Sequence, residues 1–176
     1  LATSSAASDV YKRQADDSIG FVAADIGIKK AIESAKKTGL GLVGIKRSGH
    51  YGLSGYYAEQ AVKKNLLTLI FTNAPPAIAP HGALKTLFGT NPICFGTPTS
   101  SKVPFILDTS VSMINRGKIR VAARTGSKIP EGVALDKYGR PTTDADKALK
   151  GVQMPIAGFR GSGLAWICLL YTSPSP

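Results

Sequence analysis

Over residues 22–38 the apolar side chains Ile28, Ala31, Ile32 and Ala35 recur at steps of three and four, with lysines on the opposite side. That spacing predicts an amphipathic helix. Gly39 stands where a left-handed C-terminal cap belongs. Residues 40–45 form a short apolar run suited to a buried strand. Helical spacing returns over 53–64, where Leu53, Tyr57 and Ala61 share one stripe and Lys63, Lys64 and Asn65 close it. A second buried strand is predicted over 66–71. Helix, strand, helix, strand at this spacing predicts a mixed α/β fold with helices flanking a mixed sheet.

Turns punctuate the middle of the chain. Residues 73–80 carry three prolines, and Gly89-Thr-Asn-Pro92 has strong turn chemistry. Apolar runs at 93–95 and 104–107 predict strands. Residues 111–124 are expected to be helical in part, with Gly117 weakening the centre. Residues 128–151, with Pro130, Gly132, Gly139 and Pro141, read as an extended loop region. There is no internal repeat.

The 176 residues suffice for one domain with a real core and are few for two. A hydrophobic share of 43% argues for a globular chain. No apolar run approaches the ~18 residues of a membrane span, so the expectation is a soluble, cytoplasmic protein. Cys94 and Cys168 lack metal-ligand spacing, and no metal is expected. Cys94, flanked by apolar residues, reads as a small buried hydrophobe in a reducing compartment. The net charge of +11 would suit a nucleic acid, an anionic lipid or a phosphate-bearing small molecule. The cations are dispersed, however, over Lys29, Lys30, Lys36, Lys37, Lys63, Lys64, Arg116, Lys118, Arg120 and Arg124, as on solvated helix faces. A basic nucleic-acid-binding module, which would cluster them among aromatics, is the alternative function class.

The two ends have a different character. Residues 4–14 read SSAASDVYKRQ and residues 168–176 read CLLYTSPSP. Both look like in-frame translations of transposase adapters used to prepare sequencing libraries. The expectation is an adapter-derived leader over 1–14, a tail over 168–176, and a central portion over 15–167. Without Lys12, Arg13 and Asp9 the chain remains basic, and Cys168 falls in the tail.

Gly39, Gly41 and Gly44 spell the G-x-G-x-x-G dinucleotide fingerprint, but the order around them is wrong. A strand must lead into that loop and a helix out of it. Here a helix leads in, a strand leads out, and Lys63 and Lys64 lie where the acidic ribose partner would fall. A Rossmann site is therefore rejected. Ser48-Gly-His50-Tyr-Gly52 follows a predicted strand, where loops present functional groups. An imidazole there could take the proton an alcohol loses as hydride departs, Ser48 could orient the ring, and the glycines would admit a cofactor. A lone histidine between glycines fits a structural role as well. His81, after a proline-rich turn, reads as a surface or hydrogen-bonded loop histidine. Asp108 ends a strand and could accept from a ribose or cap the next helix. Arg116-Gly-Lys118 could meet phosphate or carboxylate, or lie on a solvated helix face.

Taken together, these segments resemble the malate/L-lactate dehydrogenase-type oxidoreductases, NAD(P)-dependent enzymes without a Rossmann fold. The resemblance rests on Ser48-Gly-His50-Tyr-Gly52, Gly55-Tyr-Tyr-Ala58, residues 71–77 (FTNAPPA) and residues 87–92 (LFGTNP). It continues in residues 107–110 (LDTS), residues 116–119 (RGKI) and residues 129–136 (IPEGVALD), in matching order over about residues 17–167. It implies a family-specific α/β NAD(P)-binding fold, incomplete in this chain, and a reversible reduction of a small 2-keto acid by NADH or NADPH. The 2-hydroxy acid would be one such as malate or L-lactate, and the full-length parent a homodimer.

Carried over residue by residue, His50 falls on the catalytic proton-acceptor position. Ser48, Ala74, Asp108, Thr109, Ser110 and Arg160 fall on cofactor-binding positions, and Arg116 and Gly117 approach the substrate. Departures exist. Phe159-Arg160-Gly-Ser162-Gly163 replaces a family pattern with His-Lys before the glycine and Tyr after it, and Lys118 replaces the Asp of some imine-reducing members. The resemblance also places a rival Ser-His pair and a carboxylate-binding arginine upstream of the central portion, and further cofactor contacts downstream. An isolated fragment is expected to be inactive.

Overall fold

The computed structural model describes residues 10–14 and 19–172. Length argued for one domain, but the chain forms two compact units. The first comprises Leu1–Ile70 and Cys94–Asp108, the second Phe71–Ile93 and Thr109–Pro176. Mixed α/β structure is present, with the strands divided among three small sheets. Among the described residues no helix is long and apolar enough to cross a membrane.

In the first unit, strand β1 (Val10–Gln14), helix α1 (Gly20–Thr38) and strand β2 (Leu42–Lys46) follow in order, with β1 parallel to β2 and Val10 opposite Leu42. β1 falls on residues read from the sequence as leader. α1 ends as its sequence requires: Gly39 takes φ 87° and donates its N–H to the Ala35 carbonyl. Helix precedes and strand follows the three glycines, the reverse of a dinucleotide fingerprint. Gly41 serves packing instead, because a Cβ there would overlap the Ala31 carbonyl oxygen. On the solvent side Lys29 pairs with Asp25 at 2.6 Å, and Lys30 and Lys37 flank Glu33 at 2.9 and 2.8 Å. Hydrogen bonds from Lys37 and then Lys30 hold the Glu33 carboxyl down at about 2.

Helix α2 (Ser54–Val62) covers one face of the sheet formed by β3 (Thr68–Phe71), β4 (Ile93–Thr97) and β5 (Phe105–Thr109), in the order β3-β4-β5. Gly96 on β4 makes this possible. A Cβ there would stand 3.0–3.2 Å from Thr68, Val62 and Ala58. Beside it, Cys94 is fully buried, as its flanks predicted.

The second unit holds α3 (Arg116–Thr125), β6 (Ala134–Leu135), α4 (Ala145–Leu149), β7 (Val152–Gln153) and α5 (Phe159–Thr172). β6 and β7 are antiparallel. One core gathers Ile114, Ile119, Ile129, Val133, Ala134, Ala145 and Ala148; a second joins Ile78, Phe88, Val111 and Ala165. Two expectations need correction. The part of 111–124 that is helical begins at Arg116, where Asn115 caps it by accepting from the Lys118 N–H at 2.8 Å. Gly117 thus sits in the first turn and not at the centre. The 128–151 stretch is also not all loop: it contains β6 and α4, elements too short to leave a periodic pattern. α4 is nonetheless marked by its cap, Asp144, which accepts from the Lys147 N–H at 3.0 Å.

Gly41→Ala is expected to lower the unfolding free energy by about 1–3 kcal/mol, read from the urea midpoint. Burial, with a smaller push from Asp108, raises the Cys94 thiol from 9.0 to about 11. The folded thiol therefore stays protonated where the unfolded one ionises. Its stabilising contribution is complete below 9.0 and fades as pH climbs toward about 11. A disulfide reagent at mildly alkaline pH should modify Cys94 only as urea unfolds the chain; rapid modification of the native protein would contradict its burial.

Candidate active site

The loop over residues 47–53 joins β2 to α2 and carries His50 with its ring exposed. Its path is fixed from below. A Cβ on Gly20, the first residue of α1, would overlap the Gly49 carbonyl oxygen, and one on Gly52 would stand 2.7 Å from the Phe21 ring. Gly52 has φ 87°, which favours glycine, and its N–H donates to His50 Nδ1 at 3.0 Å. The buried Tyr57 of α2 donates its hydroxyl to the Tyr51 carbonyl at 2.7 Å, and the Tyr51 hydroxyl lies 2.8 Å from Ser54 Oγ. Ser48 was expected to orient the imidazole. It instead donates to the Gly49 carbonyl at 3.2 Å, because a serine two residues away along an extended loop finds the intervening carbonyl first.

One of the two roles expected of Asp108, capping the following helix, is not what the structure shows. The Asp108 Oδ2 accepts from the Gly55 N–H at 2.7 Å, so it caps α2, which precedes it by 53 residues, and not the following helix. α2 needs this partner because its own N-cap, Leu53, offers no side-chain acceptor. Among the described residues nothing donates to the second Asp108 oxygen. The first unit therefore gathers Ser48 and His50 on the loop leading into α2, and Asp108 at that helix's first turn.

In the second unit, Thr109 and Ser110 open a run of hydroxyls. Thr109 Oγ1 donates to the Ser110 carbonyl at 3.2 Å, Ser110 Oγ lies 3.1 Å from Ser112 Oγ, and Ser112 donates to the Ile114 carbonyl at 2.9 Å. Ala74 is tied down through Asn91, whose Oδ1 accepts from the Ala74 N–H at 3.1 Å. The Asn91 Nδ2 donates to the Ala165 carbonyl at 3.1 Å. Cys168, read from the sequence as tail, is fully buried with Sγ 3.7 Å from the Asn91 carbonyl. Sequence reading missed Asn91 as an anchor; the turn Gly89-Thr-Asn-Pro92 was the available signal, and Asn91 takes φ 32° there.

Arg116 and Gly117 are the first two residues of α3, both exposed. Gly117 borders an open groove of about 650 Å³ between α3 and α4, lined also by Arg120, Val121, Ala123, Arg124, Asp146 and Leu149. None of the other expected site residues lines it. Arg160, the second residue of α5, lies with its guanidinium 5.0 Å from the Phe159 ring centre. His81 donates its backbone N–H to Ser162 Oγ at 2.9 Å, packs edge-on to Phe159 and is exposed, the surface alternative that its context offered.

Comparison with known proteins adds the wider context. The profile of the malate/L-lactate dehydrogenase family matches residues 3–173. A malate/(S)-sulfolactate dehydrogenase of Methanothermus fervidus is 43% identical over 156 residues, covering 89% of this chain and 46% of its own length. A (2R)-3-sulfolactate dehydrogenase (NADP(+)) of Chromohalobacter salexigens is 40% identical over 95% of this chain and 50% of its own. The solved sulfolactate dehydrogenase from Methanocaldococcus jannaschii superposes with a TM-score of 0.83 at 39% identity, over 92% of this chain and 47% of its own. The chain thus spans about half the length of the curated relatives it matches. On the extent of these matches, the chain belongs to the malate/L-lactate dehydrogenase family.

Proposed function

We propose that the family-length protein carrying this segment is an oxidoreductase that moves a hydride between NAD or NADP and a small 2-hydroxy acid such as malate or L-lactate. It would act as a cytoplasmic homodimer. The observation that carries this reading is the family match across residues 3–173. Within it, a loop built to one shape presents an exposed imidazole.

The donor set suits such a cofactor. The second oxygen of Asp108 and the exposed Thr109 hydroxyl, whose proton goes to the Ser110 carbonyl, offer acceptors for ribose hydroxyls. Arg160, exposed in the first turn of α5, offers a cation for phosphate. Ser48, Ala74 and Ser110 would complete the contacts. When bound, the nicotinamide supplies or accepts the hydride. His50 stands at the substrate oxygen, which needs a proton when the keto acid is reduced and sheds one when the hydroxy acid is oxidised. Arg116 and Gly117 would face the substrate, where a guanidinium matches a carboxylate.

In the family-length enzyme, His50→Ala should lower turnover of keto-acid-dependent NAD(P)H oxidation by at least about 100-fold and leave cofactor binding largely intact. A loss below about tenfold would move the acid/base role to another residue.

A further inference from the structure

The loop that presents His50 contains one peptide group with two jobs. The carbonyl of Tyr51 and the N–H of Gly52 belong to the same peptide unit. The carbonyl accepts from the Tyr57 hydroxyl at 2.7 Å, and the N–H donates to His50 Nδ1 at 3.0 Å. A trans peptide is planar, with its C=O and N–H pointing in opposite directions. Fixing one end therefore fixes the other. The two bonds also polarise each other, because drawing on the carbonyl makes the N–H a better donor.

Tyr57 is suited to hold that plane. Its side chain is 3% exposed, and its ring packs against Tyr51 at 5.7 Å and edge-on to Tyr56 at 5.1 Å between centroids. Burial holds its phenol above the ordinary value, ahead of smaller effects from Tyr56, Asp25 and Tyr51, so it remains a donor. Ser54 steadies Tyr51 from the other side. On His50, the Gly52 N–H occupies the Nδ1 lone pair. The neutral ring must then carry its proton on Nε2, the nitrogen left facing outward.

We propose that Tyr57 is a positioning residue for His50: through the Tyr51–Gly52 peptide it holds the neutral resting imidazole as the Nε2–H tautomer, so that Nε2 donates a hydrogen bond to the substrate's keto oxygen. Proton transfer through Nε2 needs Nδ1 protonated, so the ring must leave the Gly52 N–H to act as acid or base. This deepens the proposed function and rests on it for the identity of the oxygen. The opposite tautomer would set two N–H groups against each other at Gly52.

The test uses the 176-residue chain with ¹⁵N-labelled histidine, read by NMR with the ring neutral. One hydrogen bond of ordinary strength predicts Nε2–H over Nδ1–H by about tenfold at His50. It also predicts a scalar coupling between the Gly52 amide nitrogen and Nδ1, and a slowly exchanging Tyr57 hydroxyl proton. Tyr57→Phe, which keeps the ring packing, should lower the tautomer ratio at least about threefold while the circular dichroism spectrum stays native. If Tyr57→Phe does not fold, the coupling and the hydroxyl exchange in the unmutated chain decide. A predominant Nδ1–H tautomer, a missing coupling, a fast-exchanging hydroxyl, or an unchanged ratio in a folded Tyr57→Phe would each overturn the proposal. None of these readouts needs cofactor or turnover. Failure of the catalytic reading would appear separately, as a His50→Ala enzyme that remains active.

Discussion

Helix α2 is capped at its start by Leu53, a residue whose side chain has no acceptor for the free N–H groups of a first turn. The carboxylate of Asp108 meets the Gly55 N–H from β5, 53 residues further along the chain. A charge-assisted bond of this kind at a helix N-terminus contributes about 1 kcal/mol, and it also sets where the helix starts. From that start Ser54 and Tyr57 face the loop that bears His50. Gly96 lets the body of the helix lie close on β4. Seat the helix differently, and the hydroxyl of Tyr57 no longer reaches the Tyr51 carbonyl. The geometry of the imidazole is thus inherited from β5, the strand that carries Asp108.

This dependence explains why some of the fold was legible in the sequence and some was not. The first two helices announce themselves by the three- and four-residue spacing of their apolar positions and the strands after them by short apolar runs, although β2, expected to be buried, is largely exposed. The five-residue α4 and the two-residue strands β6 and β7 are too short for a pattern to repeat, and of the three only α4 carries a local mark, its cap at Asp144. The end of α1 at Gly39 was readable from one residue. The start of α2 was not, since its cap comes from elsewhere in the chain.

Site residues divide along the same line. His50 was visible as a histidine between glycines after a strand, and the exposure of its ring agrees with a presenting loop. The roles of its neighbours were not visible. Ser48 turns to the Gly49 carbonyl, and the residue linked to the imidazole is Tyr57, seven positions on, through the backbone. Asn91 likewise read as a turn residue and is a buried tie between Ala74 and Ala165. Side-chain-to-backbone bonds across long sequence separations carry no local signature, so pattern reading misses them. Charge was read well in part: the lysines of α1 do lie on a solvated face among carboxylates. α3 carries four cations in ten residues and no acid.

The family match and the loop geometry meet at one claim, that the His50 imidazole addresses the reacting oxygen of a 2-keto acid. The most direct measurement is a ¹⁵N NMR titration of the cofactor-loaded, family-length protein with an unreactive 2-keto acid analogue such as oxamate, following His50 and His81. The account predicts a saturating shift at His50 Nε2, little change at Nδ1, and none at His81, whose place beside Ser162 and Phe159 is structural. A shift confined to His81, or saturable binding that leaves both nitrogens of His50 unmoved, would contradict it.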